Sequence, residues 1–492
     1  MPAEGKGSSV VAARSSAGSR AAIGVLASSG IVVSLMQTLA VPLLPEFPRL
    51  LGTTPSNAAW LITATLLTGA VFAPVLGRLG DMYGKRRMLL VALAAMAVGS
   101  ALGAVSSEFV VVLIARGLQG VAIGVIPLGI SIMRDELPPE RVGTGIAVMS
   151  STLGAGGAVG LPLTGLVAEH ADWHWLFAGS AVFAVIQIVL VWLLVPESPV
   201  RSGGRFDAVG AIGLSAALLC LLLPVSRGTE WGWGSPLVLG LFGAALVLFL
   251  AWGYYELRVP SSPLVNLRVS ARPAVLLTNL ASVLIGVAMF ASFMVSAQML
   301  QAPSGTGYGF DLSLMLSGVA LLPVGCAMVA FSPLSAKMSA RWGPAVTMVL
   351  GVGVLAVGNL ARPLVHSPLA GVIVVVTVTA IGAALAYGAV PALIMRAVPM
   401  SETAAANSLN ALARSIGTST CSAIVATVTA GMVVQVGGHV YPSTDAYTVI
   451  FVIAGGAAAL AGVIGLLTPG PGNGAETATV PSRVAATAGG SR

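Results

Sequence analysis

Charged side chains are scarce in this chain of 492 residues, since Asp, Glu, Lys and Arg together make up 8% of it. Soluble proteins carry about 25%. Hydrophobic residues make up 56% and the mean hydropathy is +0.95. Apolar runs of about 20 residues recur along the whole chain, and each is long enough to cross about 30 Å of hydrocarbon as a helix. These features exclude a soluble domain, and they exclude a β-barrel, whose strands would alternate polar and apolar residues. The sequence predicts an all-α polytopic membrane protein.

Cysteine and histidine are also rare, which limits the chemistry that the chain can perform. Cys220, Cys326 and Cys421 lie in apolar runs, where cysteine is usually a small packing residue, so no disulfide framework is expected. His170 and His174 have the i, i+4 spacing of a metal pair, but the chain has no HExxH motif and both lie at an outer helix end. A polytopic membrane enzyme is therefore a weaker alternative. We expect no catalytic residue, no cofactor and no metal.

Fourteen apolar segments are candidate membrane spans, and their even number puts both termini on one side of the membrane. They suggest a tail at 1–21, one block of six spans at 22–200, a two-span insert at 208–254, a second block of six at 272–468, and a disordered tail at 469–492. The segments fall at about 22–44, 57–76, 88–106, 109–132, 142–168, 174–195, 208–226, 235–254, 273–299, 312–333, 344–361, 368–395, 405–434 and 446–468.

The basic residues give the orientation. With the N-terminus inside, 19 of the 24 Lys and Arg residues fall in inner segments, whereas the outer loops hold only Arg49, Arg227 and Arg362. This asymmetry is the positive-inside rule, and it predicts a multi-pass protein of the cell membrane with both termini in the cytoplasm. The net charge of +7 therefore reports topology, and no nucleic-acid partner is expected.

An internal repeat relates the two six-span blocks. "FAPVLGRLGDMYGK" begins at Phe72 and "FSPLSAKMSARWGP" begins at Phe331, so the two copies are offset by 259 residues. The same offset carries span 5 onto span 13. Two halves of the same orientation, related by an axis along the membrane normal, are a transporter architecture with the substrate path between them.

The stretch "GRLGDMYGKRRML" at 77–89 carries five charges in a short inner loop between spans 2 and 3. A nucleotide-binding loop would need a glycine at position 79 and Ser or Thr at 86, but Leu79 and Arg86 stand there. A plain positive-inside turn explains the basic residues but not Asp81 between glycines. The stretch resembles the signature loop of the major facilitator superfamily.

That resemblance implies the major facilitator fold, with two six-helix halves plus two extra central helices. It also implies that Asp81 acts as an inner gate, held by basic groups and by the N-terminal end of a helix in the other half, where unpaired N–H groups favour an anion. Span 13, which begins near Ser401, is the expected partner. Ala340 replaces the aspartate in the second copy, so one such gate is expected. The gating residues are Gly77, Arg78, Asp81, Gly84, Lys85, Arg86, Lys337 and Arg341.

Two further segments are similar to motifs of the same superfamily. "LIARGLQGVAIG" at 113–124 places Arg116 deep in span 4, where a cation is costly and is by default a functional residue, although snorkelling to the outer surface is the alternative. "LGAGGAVGLPLTG" at 153–165 resembles the Gly-Pro motif of the fourteen-helix drug:proton antiporters; generic small-residue packing is the alternative. Its motif residues are Gly154, Gly157, Gly160, Pro162 and Gly165.

One departure from that branch concerns proton coupling. Span 1 often has an aspartate in the place where "LMQT" puts Met36, and no Asp or Glu lies clearly within any span. Coupling normally uses an intramembrane carboxyl, so the candidates are Arg116 together with Glu46 and Asp311 at outer helix ends. Arg116 and Arg414 favour neutral or anionic substrates over strongly cationic ones.

The sequence thus predicts a monomeric exporter of small lipophilic drugs or natural products, working by proton-coupled antiport and alternating access in the lipid bilayer. A facilitator-type importer or uniporter keeps the same fold, and only the Gly-Pro motif favours export over it. A central cavity would lie among spans 1, 2, 4, 5, 9 and 13. Its candidate contacts are Met36, Gln37, Thr38, Arg116, Asn410 and Arg414.

Overall fold

Fourteen long helices form the protein in a computed structural model that describes residues 5–39, 43–44, 46–258, 263–365 and 369–468. We number them α1 to α14 in chain order. Their bounds are Gly5–Leu39, Pro55–Tyr83, Lys85–Val105, Phe109–Glu136, Pro139–His170, His174–Leu194, Ala208–Trp231, Pro236–Arg258, Pro273–Gln301, Leu314–Arg341, Pro344–Ala361, Leu369–Ala397, Thr403–Gly431 and Thr444–Leu467. An antiparallel hairpin of β1 (Val433–Val436) and β2 (His439–Pro442) joins α13 to α14.

Thirteen helices of the described ranges are long and apolar enough to cross a membrane. The exception among the fourteen is α13, which has 29 residues but carries buried polar side chains such as Asn407, Ser408 and Asn410. Asn410 donates to Asn279 and Ser282 of α9, and all three of these α13 side chains are buried, so α13 lies inside the bundle and has less need of an apolar surface. The protein is therefore an all-α polytopic membrane protein, as the sequence predicts.

The first helix extends beyond its candidate membrane span at the N-terminal end. The first helix begins at Gly5, although its candidate membrane span is only Ala21–Leu39. Residues 5–20 contain no proline that would stop a helix, so the backbone of the predicted tail continues into α1. The tail predicted at 469–492 lies outside the described residues.

The sequence repeat recurs in the backbone. Both α2 and α10 end just before a glycine with positive φ, Gly84 at 122° and Gly343 at 88°, a conformation that side chains disfavour. The next helices begin at Lys85 and Pro344, which keep the offset of 259 residues. We call the helix ends with these basic loops the inner face, and the opposite ends the outer face.

The two insert helices, α7 and α8, do not take part in either six-helix half. Helix α7 packs along the seam between α2 and α13, with Leu214 and Leu218 in one apolar cluster with Leu67 of α2 and Leu412 of α13. At the outer end of α7, Arg227 lies 4.6 Å over the ring of Trp60 of α2. The insert therefore contacts both halves at the interface between them.

Candidate functional site: an inner gate and two buried arginines

The inner gate is built on Asp81, in the last turn of α2. Its carboxylate accepts hydrogen bonds from the backbone N–H groups of Ala404, at 3.2 Å, and Ala405, at 2.8 Å. Both N–H groups belong to the first turn of α13, where they have no partner within the helix. Asp81 is completely buried. A charge in the N-terminal half is thus held by the helix dipole of the C-terminal half.

Lys85 completes the gate from the start of α3. Its Nζ lies 3.6 Å from Asp81 Oδ1, donates to Thr403 Oγ1 at 3.0 Å, and forms an ion pair with Asp135 at the end of α4. Ser198 Oγ donates to Asp135 at 2.6 Å. The lysine is fully buried, so its charge needs both carboxylates to offset the loss of water.

The remaining motif residues of the loop are explained by close contacts and by hydrogen bonds. A Cβ on Gly77 would lie 2.4 Å from Ser408 Oγ and 2.8 Å from the carbonyl oxygen of Ala404, so glycine lets α2 approach α13 closely. Gly84 has φ 122°, and a Cβ there would meet the Glu197 carboxylate. Arg78 Nη1 donates to Ser202 Oγ at 3.3 Å. The backbone N–H of Arg86 donates to Glu197 at 3.0 Å.

The second copy of the loop does not join the gate. Lys337 and Arg341 are exposed, and the described residues give neither side chain a hydrogen bond or an ion pair. The guanidinium of Arg341 instead lies 5.8 Å over the ring of Trp342. Among the described residues the repeat therefore keeps the backbone turn, but the basic side chains of its second copy form no ion pair with the other half.

Arg116 lies in the interior of the N-terminal half, with 2% of its surface exposed. Its guanidinium donates to the carbonyl oxygens of Leu61 and Met36, both at 3.3 Å, and to Gln119 Oε1 at 2.7 Å. Gln119 in turn donates to Ser100 Oγ at 2.9 Å. Arg116 is thus satisfied by neutral acceptors, and it does not reach the outer surface as snorkelling would require.

Met36 occupies the place of the absent span-1 aspartate, directly beside this arginine. Its Sδ lies 3.6 Å from Arg116 Nη1. In both methionine and aspartate the third side-chain atom is two bonds from Cβ, so this sulfur marks the position that an aspartate oxygen would take. The methionine that replaces the expected aspartate therefore contacts the buried guanidinium of Arg116.

The candidate cavity residues separate into one cluster in each half. Asn410 of α13 is buried, and its amide donates to Asn279 at 3.0 Å and Ser282 at 2.7 Å, both on α9. The guanidinium of Arg414 lies 5.5 Å over the ring of Tyr387 of α12. The described residues give Arg414 no hydrogen bond or ion pair, so its donors are free for another molecule.

The remaining two cavity candidates lie on α1. Gln37 and Thr38 are half-buried, and the Thr38 hydroxyl donates to the carbonyl oxygen of Leu35 at 2.9 Å. No described contact joins them, Met36 or Arg116 to the Asn410 and Arg414 cluster. The structure therefore shows two polar clusters, one in each half, where the sequence analysis expects one cavity.

The Gly-Pro motif of α5 contacts two different helices. Gly157 and Gly160 face Thr38 of α1 within the same half. Towards the other half, a Cβ on Gly165 would lie 2.5 Å from the backbone nitrogen of Met315 in α10, and Gly154 faces the side chain of Met328.

Pro162 also packs closely against α10. A Cβ on Gly318 of α10 would lie 2.3 Å from the backbone nitrogen of Pro162. Small residues on both helices thus bring the two halves together from the middle of α5 to its outer end.

The two outer acids, Glu46 and Asp311, lie apart from Arg116. Glu46 is exposed and pairs with Arg49 at 3.0 Å. Asp311 is exposed as well, and the pKa of its carboxyl lies below its usual range because the hydroxyl and the backbone N–H of Ser304 donate to it. No described contact links either residue to Arg116, so the structure does not bring these three coupling candidates together.

Sequence reasoning missed Asp135, Ser198 and Thr403 as parts of the gate. In a chain with so few charges, Asp135 was a visible signal, since it stands in the inner segment "RDELPPERVG". What could not be read was its partner, because Lys85 and Asp135 are 50 residues apart and meet only when α3 packs on α4.

The comparison with family models decides the family. Residues 26–422 match the model described as Major Facilitator Superfamily. The chain belongs to this superfamily. The match covers most of both halves and all of the insert.

Curated relatives of this superfamily member include export and resistance proteins. It is 29% identical over 67% of its length to the tetracenomycin C resistance and export protein of Streptomyces glaucescens, of which 60% is covered. It is 27% identical over 68% of its length to a multidrug resistance protein B homolog of Mycobacterium tuberculosis, with 63% of that chain covered. A puromycin resistance protein of Streptomyces alboniger is 28% identical over 68% of this chain and 66% of its own. The chain thus spans about 60% of the first of these relatives.

Solved structures support the fold. The human organic anion transporter MFSD10 superposes with a TM-score of 0.64 at 16% identity, covering 91% of this chain and 99% of its own. The proton:xylose symporter XylE gives 0.62 at 13% identity, covering 92% of this chain and 96% of its own. At these identities the likeness shows the major facilitator fold and nothing about substrate.

Proposed function

We propose that this protein exports small lipophilic compounds, drugs or natural products, in exchange for protons, by alternating access between its two halves. The observation that carries the proposal is the contact of Asp81 with the first turn of α13. This contact joins the halves at the inner face through two hydrogen bonds and one buried ion-pair network. The relatives named for resistance and export support the direction and the class of cargo.

The strength of the gate suits this role. Hydrogen bonds to a charged group contribute about 1.5–3 kcal/mol each, so opening the two bonds of Asp81 costs several kcal/mol. One charge moved across 100 mV supplies about 2.3 kcal/mol. A gate of this strength stays closed at rest and opens when one or two protons drive the cycle.

The outer face has a second contact between halves, made by α5 and α10. With the inner gate closed and Gly165 and Gly318 packed against the opposite helix, the described state holds the halves together at both faces. Alternating access would separate one of these contacts at a time. Both contacts must be weak enough to break and form again in each transport cycle. The contact of α5 with α10 meets this condition because it depends on close packing of small residues and not on a large apolar side-chain interface.

The substrate would bind between the halves, where Arg414 offers unpaired donors from α13. A guanidinium donates hydrogen bonds and accepts none. It therefore favours ligands with carbonyl, phenolate or carboxylate oxygens on an apolar body. Strongly cationic compounds would meet Arg116 and Arg414 with no described carboxylate beside either, so we expect neutral or anionic cargo.

Efflux of a panel of neutral, anionic and cationic fluorescent dyes from energised cells tests the proposal. We expect cells with the protein to accumulate less of the neutral and anionic dyes than cells without it. A protonophore should raise the accumulation to the level of cells without the protein. The Arg116→Ala and Arg414→Ala variants should export no dye at equal membrane abundance. Asp445→Asn, at an exposed position at the start of α14, is the control and should export normally. Uptake in place of efflux would favour the importer or uniporter alternative. Export that a protonophore leaves unchanged would remove proton coupling.

A further inference from the structure

Four acidic side chains are more than nine-tenths buried in the described chain, and only two of them belong to the gate. Asp81 and Asp135 share Lys85. The other two are Asp207, 8% exposed, and Glu256, 4% exposed. Neither forms an ion pair within the described ranges. Buried carboxylates without a basic partner are costly, so this pair requires an explanation.

Asp207 and Glu256 lie at the inner ends of the two insert helices. Asp207 precedes α7, and its Oδ1 accepts from the N–H of Gly210 at 2.8 Å and from the hydroxyl of Tyr255 at 3.1 Å. Its Oδ2 accepts no hydrogen bond. The two Oε atoms of Glu256, in the last turns of α8, are approached by N–H groups of Leu264, Val265 and Trp252 but accept no hydrogen bond of normal geometry. Three buried carboxyl oxygens thus lack a well-formed hydrogen bond.

The unpaired oxygens face each other across Gly210. A Cβ on that glycine would lie 2.3 Å from Asp207 Oδ2 and 2.7 Å from Glu256 Oε1, which places the two oxygens within about 5 Å of each other. At this separation two buried carboxylates repel strongly, which favours binding of one proton by the pair. One proton on the pair also supplies the missing donor.

Other charged groups lie beyond the pair, around a cavity of about 650 Å³ that opens at the inner face and has Glu256 in its wall. Six charged side chains line this cavity, so it suits water better than lipophilic cargo. Water there can deliver a proton to the carboxylate and accept it again. The charged lining residues are Arg78, Glu256, Arg258, Arg268, Arg272 and Glu402.

A short path of contacts connects the pair to the gate. The backbone N–H groups of Leu264 and Val265 face the Glu256 carboxyl from the segment that leads into the C-terminal half. The next residue, Asn266, donates its amide to Glu402 Oε1 at 3.2 Å. Glu402 directly precedes α13, whose first turn holds Asp81. Movement of this segment would therefore shift the N–H groups that hold the gate closed.

We propose that Asp207 and Glu256 form a proton-binding carboxyl pair that controls, through residues 264–266, how readily the Asp81 gate opens. With one proton bound, the inner ends of α7 and α8 stay together. Release of that proton to water leaves two carboxylates that push the helix ends apart and pull the segment away from α13. The proposal rests on the proposed function for its role in transport, but proton binding itself requires no substrate.

The test measures the gate directly. Spin labels at Tyr83→Cys on α2 and Met400→Cys before α13, both exposed positions, report the inner opening in nanodiscs after Cys220, Cys326 and Cys421 are replaced by serine. We expect the open population to follow one titration with pH. Because removal of either carboxylate ends the repulsion, Asp207→Asn or Glu256→Gln alone should abolish most of this pH-dependent opening.

The double variant, Asp207→Asn with Glu256→Gln, should lose this titration, whereas Asp445→Asn, at an exposed position of α14, should retain it. Both substitutions keep the shape of the side chain, and asparagine still caps α7. A label-free infrared measurement should show the C=O band of a protonated carboxyl in the wild type at neutral pH and its loss in the double variant. A wild-type midpoint in the double variant would overturn the proposal.

Failure of the inference and failure of the proposed function can be told apart. If the labels show the expected titration but no dye is exported, the carboxyl pair stands and the exporter assignment falls. If dye export is proton-driven and the double variant keeps both the export and the titration of the wild type, the exporter assignment stands and the carboxyl pair falls.

Discussion

Met36, which contacts Arg116, is the residue at which this protein departs from the expected antiporter pattern. A guanidinium in the membrane interior is satisfied here by two carbonyl oxygens and one glutamine. Because these acceptors are neutral, the net charge of the cluster stays positive. The arrangement explains how the arginine is tolerated without a carboxylate, and it leaves no carboxylate at this position to bind a proton.

A double-mutant cycle tests this arrangement. Met36→Asp should be tolerated, since its carboxylate would reach the position of the sulfur that now lies 3.6 Å from Arg116 Nη1. The same substitution in an Arg116→Ala background should lower the unfolding free energy by about 3–5 kcal/mol, because it buries an unpaired charge. Thermal melting of the detergent-solubilised variants measures both, with Met36→Asn as the neutral control. Additive effects would show that the two side chains do not meet.

Asp81 supplies the second prediction at the residue scale. In Asp81→Asn the amide oxygen still accepts from the first turn of α13, but the negative charge that stabilises Lys85 is lost. A loss of about 1.4 kcal/mol would raise the open population tenfold, so turnover should slow while substrate binding changes little. The distance between labels at Tyr83 and Met400 measures the opening.

The repeat provides the control for that substitution. Ala340→Asn changes the equivalent position of the second copy, which is exposed, and it should leave the gate distance and turnover unchanged. An unaltered distance in Asp81→Asn itself would contradict the role of Asp81 as a gate.

At the scale of elements, the contact between α5 and α10 depends on glycine at positions where a side chain would meet backbone. Gly318→Ala would place a Cβ 2.3 Å from the Pro162 nitrogen, and backbone cannot move aside as a flexible side chain can. We expect a cost of about 1–3 kcal/mol, typical of overpacking, and a shift towards a state that is open at the outer face.

Labels at the exposed residues Glu169 of α5 and Leu316 of α10 would measure this shift as a longer outer distance. Gly179→Ala in α6 is the matched control, since a Cβ there has no neighbour within 4 Å, and it should leave the distance unchanged. Equal distances in the Gly318→Ala variant and the control would show that the two helices do not form a gate at the outer face.

At the scale of the whole molecule, orientation rests on the distribution of basic residues, 19 inner against three outer. In a background without native cysteines, Asp172→Cys in the outer loop should react with a membrane-impermeant thiol reagent in intact cells. Arg205→Cys, exposed in an inner loop, should react only after permeabilisation. The reverse pattern would invert the topology and with it the sides assigned to the two gates.

The sequence by itself determined the membrane class, the helices and the repeat. Apolar runs, turn glycines and basic loops are local properties, and the bilayer allows few alternatives because every backbone polar group must be bonded internally. For the same reason the signature loop at 77–89 could be placed before any contact was known.

Only the tertiary structure decided which side chains meet. A helix that is apolar on all sides has no periodicity that shows which of its faces meets a given neighbour. The partners of Lys85 could therefore not be predicted. Nor could the contacts of the Gly-Pro motif with both α1 and α10. The same holds for the separate clusters of Arg116 and Arg414, and for the carboxyl pair of Asp207 and Glu256. These contacts join residues far apart in the chain, and they depend on how whole helices pack.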